Sequence, residues 1–406
     1  MTSFCQHPIV RLASALSLLL LSMGGVTFAQ ESESRAKGAN EQSDQREEKG
    51  DSPTAFLPSW IKQRLPKGEQ AEGAKSGFAP AFGDIKRGSG FAPGVAYRQA
   101  LPGGGVVVLK GVYSIRNYKL VQLGAQSRPL AAGHVIFRGR ARWQDAPSVH
   151  LYGLGSDSPD FRTGYAETRT EVSGEAAWTP LRFVRFGGGV GLEQFDTGLD
   201  HNAEPAGLVL FASMPGAGAD PRYVHSQGSA AIDLRESPGF SRRGSLLSAA
   251  FHDYRQTTSS GPFSFQRVDV VAEQYIPIVR DKSVVFLNLH AATTFADSGR
   301  DVPFFLLPDL GGHDVRGFPD YRFRGRHSIN WTAEYRWYAL EYLEAAVFYD
   351  AGKVVSTRSS LDFTGLKSSI GGGVRLHSAR TTFVRLELAH GHEGLRFLIA
   401  FSPVGQ

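Results

Sequence analysis

A strict alternation of apolar and polar residues is the feature that most constrains how this chain can fold. In residues 134–143 the two sets separate by face: one holds Val135, Phe137, Ala141 and Trp143, and the other holds Arg138, Arg140 and Arg142. The same pattern recurs in residues 326–340 and 381–391. A period of two residues is typical of β-strands, whose side chains point to opposite faces in turn. The alternation therefore predicts a sheet with one apolar and one polar face.

The alternation recurs often enough to build one large sheet. The candidate strands lie near 87–100, 105–117, 118–127, 133–144, 164–178, 181–194, 221–236, 243–256, 262–278, 283–297, 326–339, 342–355, 365–378, 381–391 and 394–404. Charged residues in mid-strand and aromatics near strand ends are typical of a membrane barrel with a wet lumen. Because bacterial barrels have even strand numbers, we predict an all-β fold, a transmembrane antiparallel β-barrel of 16 strands, with one strand undetected.

Residues 1–29 predict a cleaved secretory signal. A basic Arg11 precedes a short apolar run, and the run ends in a small-x-small sequence, residues 27–29. The run is too short for a transmembrane helix, which needs about 20 residues. The single cysteine, Cys5, lies inside this signal, so we expect no disulfide and no thiolate metal site in the exported chain.

Residues 30–86 predict a linker, largely disordered, because aromatic and aliphatic residues are nearly absent from its first half. Residues 55–65 fit either a short amphipathic helix or a continuation of the linker. Residues 87–406 are predicted to form the barrel. The net charge of +5 is small for 406 residues and gives no indication of a nucleic-acid partner.

A long connection between the strands at 283–297 and 326–339 carries the most specific motif. It holds Val315, Arg316, Gly317 and Phe318, preceded by Gly311 and Gly312. A connection of this length without regular structure is often functional. We expect Gly317 to permit a tight turn with unusual backbone angles. The planar guanidinium of Arg316 suits carboxylates, which a buried arginine requires as partners.

The tetrad, its long loop and the strands that follow resemble the BamA/TamA superfamily of outer-membrane assembly and translocation proteins. The resemblance implies that the sixth external loop folds into the lumen with the tetrad at its tip. It also implies that Arg316 meets Glu334 and Asp350 on the next two strands, with Gly352 as a further family glycine. The terminal strand resembles the β-signal that outer-membrane barrels present for assembly; its residues are Gly394, Phe397, Ile399 and Phe401.

The resemblance implies a role in assembling or inserting outer-membrane proteins, or in translocating a polypeptide or lipid. Residues 30–86 are too few for the periplasmic POTRA domains of the family, so we expect a short, barrel-only member. The implied partners are outer-membrane lipid or lipopolysaccharide, unfolded outer-membrane or secreted polypeptide, and periplasmic or lipoprotein accessory factors. We predict no cofactor and no metal.

Two alternatives remain open from the residues alone. One is a plugged or gated pore in the outer membrane, since the inward arginines indicate a polar interior. The other is an outer-membrane enzyme acting on lipid, which needs a serine and a histidine held together. The Gly-rich residues 153–158 and His290 are better interpreted as a turn and as a lumen hydrogen-bonding residue, so we predict no enzyme.

Overall fold

The computed structural model describes residues 76–83, 85–200, 203–237, 240–257, 261–279, 282–340, 342–377 and 382–401. The predicted signal, the segment 55–65 and most of the predicted linker lie outside the described residues.

Sixteen strands form one antiparallel sheet in which each strand pairs with its neighbours in order. They are β1 (Gly77–Phe82), β2 (Pro93–Ala100), β3 (Val106–Tyr113), β4 (Lys119–Gln126), β5 (Val135–Leu151), β6 (Thr163–Leu181), β7 (Val184–Leu199), β8 (Arg222–Asp233), β9 (Gly244–Gln256), β10 (Phe265–Pro277), β11 (Ser283–Phe295), β14 (His327–Leu340), β15 (Leu343–Val355), β16 (Lys367–His377), β17 (Thr382–Gly391) and β18 (Gly394–Phe401). Two short strands, β12 (Asp309–Leu310) and β13 (Phe323–Arg324), pair separately. The predicted 16-stranded all-β fold is confirmed.

The two faces of the sheet divide as the alternation predicts. The outward face is apolar and exposed, with Trp178 at 51%, Val190 at 56% and Trp337 at 53% of their full accessible surface. The inward face is polar, and Glu171 and Glu334 on it are each 3% exposed. An apolar exterior around a polar interior is the arrangement of a membrane barrel.

The residues 296–326 between β11 and β14 show that the sheet curls round. From this loop, Asp314 accepts a hydrogen bond from Arg87, which follows β1, at 2.8 Å. At the other end of the sheet, Arg322 donates to Glu393, which precedes β18, at 2.7 Å. One loop thus touches both ends of the sheet, as it must when it lies inside a barrel. Within the described residues no backbone ladder joins β1 to β18.

The connections differ in length at the two ends of the barrel. The loop end carries the long ones, at 83–92, 152–162, 200–221, 296–326 and 356–366, and the turn end carries the shorter ones, such as 101–105 and 182–183. The connection 200–221 contains the helix α1 (Pro205–Ala212). Among the described residues no helix has the length and apolar character needed to cross a membrane.

The sheet begins earlier than the sequence predicts. Strand β1, Gly77–Phe82, lies inside the stretch predicted as linker (30–86) and is the strand missing from the candidates. Its sequence, GFAPAF, shows no alternation, and Pro80 argues against a strand. Proline is tolerated here because β1 is an edge strand, with a ladder to β2 on one side only.

Candidate functional site

The loop 296–326 carries its tip into the lumen against the wall formed by β14–β17. Four of its residues pack with Val354 of β15 in a buried apolar cluster: Leu310, Val315, Phe318 and Phe323. The β12–β13 pair closes the base of the tip by pairing Leu310 with Phe323. Apolar burial therefore holds the loop inside before any charge is considered.

Arg316 lies between the two predicted acidic partners. Its Nε and Nη2 donate to the two carboxylate oxygens of Asp350 at 2.8 Å each, and its backbone N–H donates to Asp350 at 3.1 Å. Its Nη1 donates to Glu334 at 2.9 Å and to Glu387 at 3.3 Å. A paired, two-pronged contact of this kind is among the strongest charge-assisted hydrogen bonds.

The charged groups of this site are buried, so each of them needs a partner of opposite charge. Asp350 is 0% exposed and Arg316 is 4% exposed. Asp350 also accepts from the Thr332 hydroxyl at 2.9 Å. Burial disfavours the charged guanidinium, but the hydrogen bonds and attraction from Asp350, followed by Glu334 and Glu387, outweigh it and raise the pKa of Arg316 above its ordinary value. The arginine stays charged, and each carboxylate depends on it.

A second arginine extends this contact into a network. Arg375 donates to Glu334 at 2.6 and 2.7 Å, to Glu387 at 2.6 Å and to Glu344 at 3.2 Å. We call Arg316, Asp350, Glu334, Glu387 and Arg375 the tip network. The sequence interpretation missed Arg375 and Glu387 as partners. The sequence feature that could have identified them is their place on the inward faces of β16 and β17, two positions apart in the register of that strand pair.

An aromatic ring supports Arg316 from below. The centre of the Phe348 ring lies 3.2 Å from Cζ of Arg316, a cation–π contact. Phe348 is inward and 3% exposed on β15. On the paired strand β16, Gly371 leaves room for the ring: a Cβ there would lie 2.4 Å from Cζ of Phe348 and 2.3 Å from the backbone carbonyl oxygen of Leu388. The alternation in the sequence places Phe348 on the lumen face, where most residues are polar. An aromatic residue on that face is unusual and could have identified Phe348 as part of the site.

Gly371→Ala should displace the Phe348 ring from beneath Arg316 and press against the Leu388 carbonyl of β17. Overpacking of this kind typically costs about 1–3 kcal/mol. We expect the temperature at which the barrel loses its fast gel mobility in detergent to fall. Gly228→Ala is the matched control, because nothing lies within 4 Å of a Cβ at Gly228. If both variants lost their fast gel mobility at the same temperature, Gly371 would not have this role.

The glycines of the loop serve different purposes. Gly311 and Gly312 have φ values of 116° and 65°, in the left-handed region. Gly317 does not need such angles, contrary to the expectation from sequence. It is required by close approach, since a Cβ there would lie 2.5 Å from Cβ of Ser369 and 2.8 Å from the backbone N of Gly391. Gly352 is also closely packed: a Cβ added there would lie 2.7 Å from Cβ of Asn330.

Phe318 closes the tip on the side of β17 and β18. It is 0% exposed and packs edge-on against Phe323, with ring centres 5.1 Å apart. His392, in the turn between β17 and β18, lies 5.0 Å from it, centre to centre. The tetrad thus contacts β15, β16 and the last hairpin together.

A separate contact holds the loop from the side of β1. Arg87 forms ion pairs with Asp309 and, at 2.8 Å, with Asp314. Its guanidinium lies 4.6 Å from the ring centre of Tyr321. Burial raises the pKa of Asp314 above its ordinary value, and the attraction of Arg87 opposes that rise. Removing Arg87 would therefore leave Asp314 without its compensating charge.

Arg87→Gln should loosen the loop on this side with a modest effect. The pair is partly exposed, with side chains 29% and 30% accessible, so the expected cost is about 1 kcal/mol. Limited proteolysis of the reconstituted barrel should cut within residues 296–326 faster than in the wild type. Arg255→Gln, at an arginine of β9 whose side chain is 59% exposed, is the control. Unchanged cleavage in Arg87→Gln would contradict this contact.

The β-signal residues lie on β18. Phe397 and Ile399 face outward and are 63% and 51% exposed. Gly394 has φ 117° at the turn that opens the strand. Phe401 ends β18. Recognition of this strand by an assembly machinery remains a prediction.

The serines weighed for an enzyme hold a loop in place, and the histidine lies within strand β11 beside a carboxylate of β10. The Ser156 hydroxyl bonds to both the N–H and the carbonyl of Val354 at 2.9 Å. Ser158 accepts from Arg322 at 2.9 Å, and His290 lies 3.3 Å from Asp269. In the described part of the chain, no group of three or more His, Cys, Asp or Glu side chains is placed to hold a metal ion.

The fold and the loop define a class: antiparallel membrane barrels with a charged loop tip fixed inside the lumen. Residues 195–391 match the model of the Omp85 superfamily domain. This match confirms the predicted resemblance to the BamA/TamA superfamily.

Solved structures agree on the fold. A crystal structure of BamA from Haemophilus ducreyi lacking POTRA domains 1–3 aligns with a TM-score of 0.60 and 16% identity, over 80% of this chain and 69% of that one. CdiB from Escherichia coli aligns with a TM-score of 0.54 and 14% identity, over 80% of this chain and 60% of CdiB. At such identities the likeness establishes the barrel fold. A search of curated proteins found no match.

Proposed function

We propose that the chain works in the outer membrane of a bacterium, where it inserts or translocates a polypeptide. The observation that carries this proposal is the tip network, which ties the loop to the wall strands β14–β17. The network therefore holds these four strands together. In the described residues, β1 and β18 are not joined by backbone hydrogen bonds. A sheet edge without a ladder can accept a strand of another chain.

The domain organisation belongs to the same proposal. Residues 1–29 direct export and are removed, the stretch that follows links to the barrel, and the barrel begins at Gly77. Outer-membrane lipid or lipopolysaccharide surrounds the apolar exterior. Accessory periplasmic or lipoprotein factors deliver the polypeptide. We propose no enzymatic activity.

A deletion strain tests this function. Without the gene we expect lower levels of at least one outer-membrane or secreted polypeptide, measured by quantitative proteomics of membrane and medium. The wild type and Arg326→Ala should restore those levels, because the Arg326–Asp301 pair is exposed at 39% and 47%. Arg316→Ala should not restore them. Unchanged proteomes in the deletion strain would contradict the proposal.

A gated pore is the second candidate, supported by the wet part of the lumen. On the inner wall, the Arg140 side chain faces inward and is 41% exposed. Planar-bilayer recording separates the two functions. Steady, ion-selective channels would favour a pore, whereas rare and erratic openings would favour a barrel plugged by its loop.

A further inference from the structure

Charge is divided unequally around the inner wall of the barrel. We define the seam-side wall as the inward faces of β1–β5, β17 and β18. The strand registers place seven cations on it: Arg98, Lys110, Arg138, Arg140, Arg142, Arg385 and Arg396. The same strands turn one carboxylate inward, Glu387, which belongs to the tip network.

The opposite wall has the reverse charge. The inward faces of β6–β10 carry seven carboxylates: Glu167, Glu171, Glu175, Glu193, Asp233, Asp269 and Glu273. Three arginines accompany them, Arg169, Arg185 and Arg267. A cleft between walls of opposite charge steers a charged ligand toward one side.

The carboxylates of the acidic wall pair with cations of the chain, whereas two cations of the seam-side wall, Arg98 and Arg396, have no carboxylate beside them in the described part of the chain. Glu193 accepts from Arg169 at 3.0 Å and contacts His225 at 2.7 Å. Among the described residues, no carboxylate lies within ion-pair distance of Arg98 or Arg396, and the Nε of each is buried without a hydrogen-bond partner. Both side chains are partly exposed to the lumen, so an anion entering it can reach them.

The cations are spread along the barrel axis and are not gathered at one depth. Arg138 lies near the turn end of β5, and Arg142 lies four residues on, about 13 Å further at the usual rise of a strand. Arg385 lies near the turn end of β17, and Arg396 lies near the loop end of β18. Lipid phosphates lie outside a barrel, in the headgroup layer of each leaflet. A stripe inside it fits an extended chain instead.

We infer that the seam-side wall binds acidic segments of an extended polypeptide. This inference rests on the proposed function and names the class of its substrate. Repulsion from the acidic wall and attraction to the stripe would hold such a segment beside β1 and β18. The binding is electrostatic and would weaken as salt shortens the screening length, which is about 10 Å at 0.1 M.

Binding of a fluorescent oligoglutamate tests the inference directly. A peptide of about 10 residues spans a bilayer core when extended. It is titrated onto the full exported chain in lipid nanodiscs, and anisotropy is measured. We expect saturable binding that falls with salt, no binding of oligolysine, and a loss of affinity of about tenfold or more in the triple variant R98E/R138E/R396E, from the reversed charges. The control is Arg182→Glu, an exposed arginine in the turn between β6 and β7.

The outcomes separate the inference from the function on which it rests. Equal affinity of the triple variant and the wild type, with both barrels showing normal heat resistance, would overturn the inference. So would displacement of the peptide by glycerol phosphate at matched charge, which would indicate a lipid-phosphate site. If oligoglutamate binding fails while the deletion strain still loses exported polypeptide, the substrate class is wrong and the proposed function stands. If the peptide binds but the proteomes are unchanged, the proposed function fails and the wall remains an anion site.

Discussion

Arg316→Ala should be the most destabilising single change in the loop. It would leave Asp350, 0% exposed, without its paired donors and would remove one of the donors to Glu334. Breaking a buried ion pair by removing one partner typically costs about 3–5 kcal/mol. We expect the heat-dependent gel shift of the barrel to move to a clearly lower temperature, and protease to cut within residues 296–326.

Controls distinguish loss of the buried pair from loss of a positive charge. Arg326→Ala removes an arginine of the same loop whose pair with Asp301 is exposed, so its expected cost is about 0–1 kcal/mol. Arg316→Lys keeps the charge but not the planar, two-pronged contact, and should fall between the two. The account of the tip network would be wrong if Arg316→Ala and Arg326→Ala melted together and resisted protease equally.

Gly317→Ala should prevent the tip from docking although the tip network keeps all its charges. The added methyl would lie 2.5 Å from Cβ of Ser369 and 2.8 Å from the backbone of Gly391. Two of the three close atoms are backbone of β17, which cannot move aside without breaking its ladder. We expect destabilisation of about 1–3 kcal/mol or more and raised loop cleavage.

Gly111→Ala on β3 is the matched control, because nothing lies within 4 Å of a Cβ there. A second variant, Ser369→Gly combined with Gly317→Ala, removes the nearest clashing atom but leaves the clash with the Gly391 backbone. It should recover only part of the loss. Wild-type stability in the single variant Gly317→Ala would show that the tip does not pack against this wall as described.

The barrel could be predicted from the sequence because the face on which a strand residue lies depends only on its position along that strand. Alternation alone separates Phe137 and Trp143 from the arginines between them, and the registers of β5 and β6 place these residues on the expected faces. Strand β1 was not predicted because its sequence, GFAPAF, has no alternation and contains Pro80, which only the edge position permits.

The tip network was predictable in part. Glu334 and Asp350 could be named because both lie soon after the loop and face inward. Arg375 and Glu387 lie further along the chain, and their contacts depend on how far the loop descends. That depth is set by steric details such as the absence of a side chain at Gly317 and Gly371, which no pattern of polarity reveals.

Chemical labelling of residue 315 tests the central claim most directly. Val315 is 0% exposed at the loop tip, and the only cysteine of the chain, Cys5, lies in the predicted signal. We predict that a membrane-impermeant maleimide labels Ser359→Cys, an exposed loop position, rapidly in intact cells. Val315→Cys should stay unlabelled, and should become reactive when combined with Arg316→Ala. Labelling of Val315→Cys as fast as Ser359→Cys, with Arg316 intact, would place the tip in solvent and contradict the account.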